Sequence, residues 1–111
     1  MPEYRASRSP CPIGRASRVL GDRWAMLILR DALLGEERFE GWMARLDISR
    51  AVLTDRLAML CQAGLLQRDP PGGKRAHYRL TEAGRALAPV YAEITQWGDT
   101  HLPRADASPA S

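Results

Sequence analysis

Apolar residues recur at helical spacing along most of the chain, and strand-like alternation appears only once, near residues 65–80. In "CPIGRASRVLG", Ile13, Ala16, Val19 and Leu20 make an apolar stripe. Pro12 falls at a first helical position, where its missing N–H costs nothing, and Gly21 provides the stop. "DRWAMLILRDALLG" is apolar nearly all round through Trp24, Leu27, Ile28, Ala32 and Leu34, the mark of a buried central helix. Asp22 can cap it and Gly35 ends it. "EERFEGWMARL" predicts a third, short helix with Phe39, Trp42, Met43 and Leu46 inward, although Gly41 weakens it.

Asp47 and Ile48 form a tight turn, after which Ser49 caps a fourth helix. Ile48 and Leu53 stand at the two positions of a hydrophobic staple. Leu53, Leu57 and Leu60 then repeat at helical spacing toward the core. Gly64 ends this helix, and Leu65 can fold back on Leu60 as in a Schellman stop. "LLQRD" and "RAHYRLT" read as two strands around the turn "PPGGK". Thr81 caps a last helix, "EAGRALAPVYAEITQWGDTHL", in which Leu87, Val90, Tyr91, Ile94 and Trp97 share a face and Pro89 imposes a bend or a late start. The predicted order is four helices, a hairpin and a final helix: a mainly α chain with a small β-hairpin. Residues 1–10 read as a flexible arm, 11–102 as one domain, and 103–111 as a disordered tail.

Length and composition narrow the function classes. With 111 residues there is room for one domain only. Net charge is +3, mostly from arginine, which permits nucleic acid as a partner without establishing it. Cys11 and Cys61 lie far apart and form no metal-spaced cluster with His, so neither a zinc site nor another cofactor is expected. "MPEYRASRSP" lacks the apolar stretch of a secretory signal, and no segment approaches the roughly 20 apolar residues that span a bilayer. No membrane partner and a cytoplasmic location are therefore expected. There is no glycine-rich phosphate loop, no G-x-S-x-G, and no carboxylate pair beside a histidine, so an enzyme is not expected. His77 and His101 have no evident partners.

Helices three and four, joined by a tight turn, make a helix-turn-helix candidate. A hairpin placed directly after them can lie on a phosphate backbone while the capped helix enters a major groove. With the three leucines inward, the opening turns of the fourth helix offer Ser49, Arg50, Ala51, Thr54 and Asp55 to a base-pair floor. Arg50 can bond two acceptors of guanine, Thr54 can touch a thymine methyl or a phosphate, and Asp55 can accept from cytosine. Arg56 points to another side, toward a phosphate or the third helix. Lys74, Arg75, His77 and Arg79 cluster with Arg68 at the hairpin, where Lys74, Arg75 and Arg79 would supply sequence-independent affinity. Ribbon alternation puts Arg75, His77 and Arg79 on one face and Ala76, Tyr78 and Leu80 on the other. His77 reads as a surface residue.

"CPIGRASRVLGDRWAMLILRDALLGEERFEGW", "ISRAVLTDRLAMLCQAGLLQR" and "YRLTEAGRALAPVYAEITQWG", in this order and spacing, resemble the HxlR-type winged helix-turn-helix transcriptional regulators. The resemblance spans most of Cys11 to Gly98, with a wing more compact than is usual for the family. It implies a homodimeric bacterial regulator that binds double-stranded DNA at a roughly palindromic operator, with N- and C-terminal dimerisation helices. Ile13, Val19, Leu87, Val90, Tyr91, Ile94 and Trp97 are the seam candidates. Some such regulators sense oxidants or electrophiles through a cysteine at the "CP" position. Cys11, just ahead of a helix and flanked by Arg8 and Arg15, meets the positive end of the macrodipole, an environment that favours a reactive thiolate. A buried small residue at the dimer seam is the plainer reading of the same cysteine. The effector is thus an oxidant or a small molecule, the latter held among Trp24, Trp42, Tyr91 or Trp97 if those aromatics are not simply core. The rival to DNA binding is a winged-helix module used for protein–protein contact.

Overall fold

The computed structural model describes residues 4–71 and 75–105. Its elements are α1 (Pro12–Leu20), α2 (Arg23–Leu33), α3 (Phe39–Arg45), α4 (Arg50–Gln62), β1 (Leu66–Asp69), β2 (His77–Leu80), α5 (Glu82–Arg85) and α6 (Ala88–His101). The local chemistry read from the sequence sets most of the boundaries. Asp22 accepts from the Ala25 amide at 2.8 Å to start α2. The Ser49 hydroxyl accepts from the Val52 amide at 3.1 Å to start α4, with Ile48 and Leu53 both buried beneath that turn. At the other end of α4, the Leu65 amide donates to the Leu60 carbonyl and the Gly64 amide to that of Cys61, each at 3.0 Å. Those two bonds are the Schellman pair. They require the left-handed backbone that Gly64 adopts, φ +81°.

One boundary differs from expectation, and another takes the late start that Pro89 offered. α3 begins at Phe39, not at Glu36. The Glu36 carboxylate folds over the coming helix and accepts from the amides of Glu37 and Arg38, both at 3.1 Å, holding the segment just ahead of it. A Cβ at Gly41 would overlap that carboxylate and displace it. The last helix is split. Thr81 caps the single turn α5, and the chain restarts as α6 with Pro89 in its first turn, where no N–H is needed.

β1 and β2 pair antiparallel, with Leu66 opposite Leu80 and Arg68 opposite Tyr78. The Tyr78 amide donates to the Glu37 carbonyl at 2.7 Å, so the segment before α3 binds the outer edge of the hairpin. The core lies where α2, α3, α4 and β1 meet: Ile28, Leu29, Trp42, Leu53, Leu57, Leu60 and Leu66 are all buried. Each such leucine contributes about 2 kcal/mol by leaving water. The Trp42 indole satisfies its N–H on the Ile28 carbonyl at 3.2 Å. This is a winged helix-turn-helix arrangement: α3–turn–α4 is the motif and the β1–β2 hairpin the wing. α6 is anchored to it by Leu87 and Tyr91, whose hydroxyl donates to the Met26 carbonyl at 2.8 Å. Burial pushes the Tyr91 phenol up to about 12.

Candidate nucleic-acid interface

α4 presents one face to the core and leaves Arg50, Ala51, Thr54 and Ala58 exposed, with Asp55 half-buried beside them. Between its first turns, the start of α3 and the wing runs an open groove of about 600 Å³. Arg38, Arg50, Arg68 and Arg75 line it against a single carboxylate, Glu40, and its apolar walls are Phe39, Ala76 and Tyr78. Four guanidinium groups facing one acid make this groove a trap for anions. Arg68 lies over the Tyr78 ring at 5.9 Å and donates to the Pro71 carbonyl at 3.1 Å. Tyr78 in turn packs its edge on buried Trp42.

Arg50, at the first helical position of α4, is held on two sides. Its Nη1 and Nη2 donate to the Glu40 Oε1 and Oε2 at 3.3 and 2.9 Å, and its guanidinium stacks 4.8 Å above the Phe39 ring. That pairing holds the Glu40 carboxyl below its ordinary range and raises Arg50 further. The Thr54 hydroxyl donates to the Arg50 carbonyl at 2.8 Å.

Two residues expected at the interface, Arg56 and Arg79, are placed elsewhere. Arg56 turns away from the groove and donates to Asp22 Oδ2 at 2.9 Å, bolting α4 to the start of α2. Burial opposes the charged form of Asp22, but bonds from Arg56 and the Ala25 and Trp24 amides outweigh it, and its carboxyl sits below the ordinary 3.8. Arg79 does not line the groove. It lies on the other face of the wing, 3.7 Å from Glu37 Oε1 and 3.6 Å from Asp69 Oδ2. His77 has a partner after all, with its Nδ1 3.0 Å from Glu37 Oε1, across 40 residues of sequence. Ribbon alternation is obeyed in part: His77 and Arg79 share the acid-facing side, while Arg75 ends beside Ala76 and Tyr78 in the groove. Lys74 lies outside the described residues. Arg38, Phe39, Glu40 and Arg68 complete the groove without having been singled out as contacts. For Arg38, Phe39 and Glu40 the only sequence signal is arginine flanking an aromatic at the start of the motif; Arg68 had been read in the basic cluster of the hairpin.

Away from the groove, Ile13, Val90, Ile94, Trp97 and Leu102 are large apolar side chains left 41–79% exposed. Val19, a seam candidate, instead packs in the chain's own core at 7% exposure, and Tyr91 is half-buried against α2. Cys11 is exposed and caps α1, its Sγ accepting from the Gly14 amide at 3.4 Å. Cys61 is half-buried, and burial pushes its thiol up. Trp42, one of the aromatics weighed for a small-molecule pocket, is fully buried in the core. A small apolar cavity of about 220 Å³ opens elsewhere, among Tyr4, Val19, Leu20, Leu65 and Leu87. Among the described residues no cluster of His, Cys, Asp or Glu could hold a metal, and no helix is long and apolar enough to cross a membrane.

A helix-turn-helix with a basic wing and a groove between them defines the winged-helix class of transcriptional regulators. Residues 19–106 match the HxlR-like helix-turn-helix family, and the chain belongs to it. It is 44% identical over 99 residues to the uncharacterised HTH-type transcriptional regulator Rv3095 of Mycobacterium tuberculosis, covering 87% of this chain and 63% of that one. This chain thus spans less than two thirds of the mycobacterial relative. The crystal structure of PA1607, a proposed transcription factor, superposes with a TM-score of 0.82 at 38% identity, over 91% of this chain and 72% of that one. Reduced YodB from Bacillus subtilis superposes with a TM-score of 0.72 at 32% identity, over 88% of this chain and all of that one.

Proposed function

We propose that this chain is a sequence-specific regulator that binds duplex DNA as a homodimer. The observation that carries the reading is the groove between the opening turns of α4 and the wing, with four arginines against one acid. A phosphate backbone fits such a channel, and the adjacent exposed edge of α4 then lies over base edges in a major groove. Arg38, Arg68 and Arg75 serve the backbone; Arg50, Thr54 and Ala51 serve the bases. Arg56 acts indirectly, by fixing α4 on α2. The exposed apolar stripe of α6, with Ile13 of α1, supports a two-fold partner: water contact along Val90, Ile94 and Trp97 is unfavourable and a second copy relieves it. Two recognition helices related in this way reach successive major grooves about 34 Å apart.

The signal the regulator answers is read from Cys11. A quinone-bound form of YodB and the redox regulator HypR are structural relatives. In this chain the corresponding chemistry would fall on the exposed thiol that caps α1. An adduct there removes the cap and loads the helix that carries the seam.

Selection from a randomised duplex pool tests the central reading. Sequences enriched by the full chain should contain an inverted repeat. If three arginines per protomer reach phosphates, a dimer neutralises about six, and log affinity should fall against log salt with a slope of about −5. Arg75→Ala should weaken all duplexes alike and flatten that slope by about 2. Enrichment of no sequence, or binding indifferent to salt, would instead favour a protein–protein module.

A further inference from the structure

Glu40 is an acid at the mouth of an anion-binding groove, an arrangement that costs affinity and therefore needs a reason. Fold stability does not supply it. The Glu40 and Arg50 side chains are 71% and 64% exposed, and such pairs contribute little to folding. The geometry of the pair suggests another use. Glu40 takes one N–H each from Nη1 and Nη2, so two of the five guanidinium donors are spent. The Nε–H and the second Nη2–H remain together on one edge of the plane. Parallel donors of that kind match the N7 and O6 acceptors of guanine. Phe39 lies under the flat face of the same group and restricts its tilt. Carboxylate on one side and ring beneath, the guanidinium is held in one plane before any DNA arrives. An arginine free to rotate would also take phosphates, whereas one already neutralised by a carboxylate gains less from them.

We propose that Glu40 is a specificity-determining positioning residue. It fixes Arg50 for bidentate contact with guanine and lowers the attraction of the α4 start for phosphate. This rests on the DNA-binding reading above. Its consequence is a change of opposite sign on two kinds of DNA, which a merely structural role would not produce.

The experiment compares the full-length wild type, Glu40→Gln and Arg50→Lys on two probes. One is the duplex enriched by the wild type from a randomised pool; the other is random-sequence duplex of equal length. The wild-type site should hold a guanine in each half, and replacing it should weaken binding about tenfold or more. In Glu40→Gln that guanine penalty should shrink to about twofold, while affinity for the random duplex rises severalfold because a negative charge has left the groove. Arg50→Lys should lose the guanine penalty without the gain on random DNA. An unchanged thermal midpoint for Glu40→Gln shows that the variant is folded. A Glu40→Gln protein that keeps the full guanine penalty, or that weakens on both probes equally, overturns the proposal while leaving DNA binding intact. If the wild type enriches no sequence, the DNA-binding reading fails and the proposal with it.

Discussion

The contact between Asp22 and Arg56 gives the sharpest test of how the recognition helix is held. One oxygen, Asp22 Oδ2, accepts from both the Ala25 amide that opens α2 and the Arg56 Nε of α4, at 2.8 and 2.9 Å. Asp22→Asn separates the two jobs. Asparagine caps a helix as well as aspartate does, so the Ala25 bond is kept and only the charge facing Arg56 is lost. A hydrogen bond between charged groups contributes about 1.5–3 kcal/mol when shielded; here a fifth to a quarter of each side chain meets water, which reduces the expected cost to about 1 kcal/mol. Asp22→Ala loses the cap as well and should cost about 2 kcal/mol. The sign of the pH effect follows from the depressed Asp22 carboxyl. Its stabilisation is present above the ordinary value of 3.8 and is lost as pH falls through the lower folded value. Urea unfolding at fixed protomer concentration should therefore show Asp22→Asn below the wild type at neutral pH, with the gap closing toward the acid end of the folded range. A double-mutant cycle with Arg56→Gln should return a coupling of about 1 kcal/mol. A gap that is absent at pH 7, or unchanged in acid, would refute the reasoning.

Other consequences are more local. Ile94→Asp, on the exposed stripe of α6, should convert the proposed dimer to folded monomers in sedimentation at micromolar concentration, with helical circular dichroism retained, because Ile94 is 41% exposed within one chain. Gly64→Ala forces a Cβ onto φ +81° and should lower stability by about 1 kcal/mol in denaturant titration, whereas Gly64→Asn should cost less. Cys11→Ser should keep DNA binding and make it resistant to a quinone or peroxide that releases the wild type; equal release of both would remove Cys11 from the response.

The elements that local chemistry decides were legible in the sequence. The Ser49 cap and the Gly64 stop depend on residues within a few positions of each other, and both stand as read, with Ile48 and Leu53 of the expected staple both buried. The wing was legible too, since alternation and a Pro-Gly turn fall between two helical stretches. What could not be read were side chains claimed by partners distant in sequence. Arg56 looked available for phosphate because Asp22, its partner, lies 34 positions earlier. His77 looked unpartnered because Glu37 is brought beside it only when the hairpin docks on the segment before α3. The late start of α3 is a local effect instead: Glu36 closes over Gly41 and takes the amides that would have begun the helix. Arg38 and Glu40 fell inside the predicted third helix with no role of their own, and they became groove residues once α4 and the wing were set opposite them.

The central claim is that two copies of α4 enter successive major grooves on one face of a duplex. Its most direct test is the affinity of the selected inverted repeat before and after five base pairs are inserted between its halves. Half a helical turn puts the second half-site on the far side of the DNA, so binding should weaken at least about a hundredfold, while a ten-base-pair insertion restores the face and part of the affinity. Equal binding to all three duplexes would contradict the account.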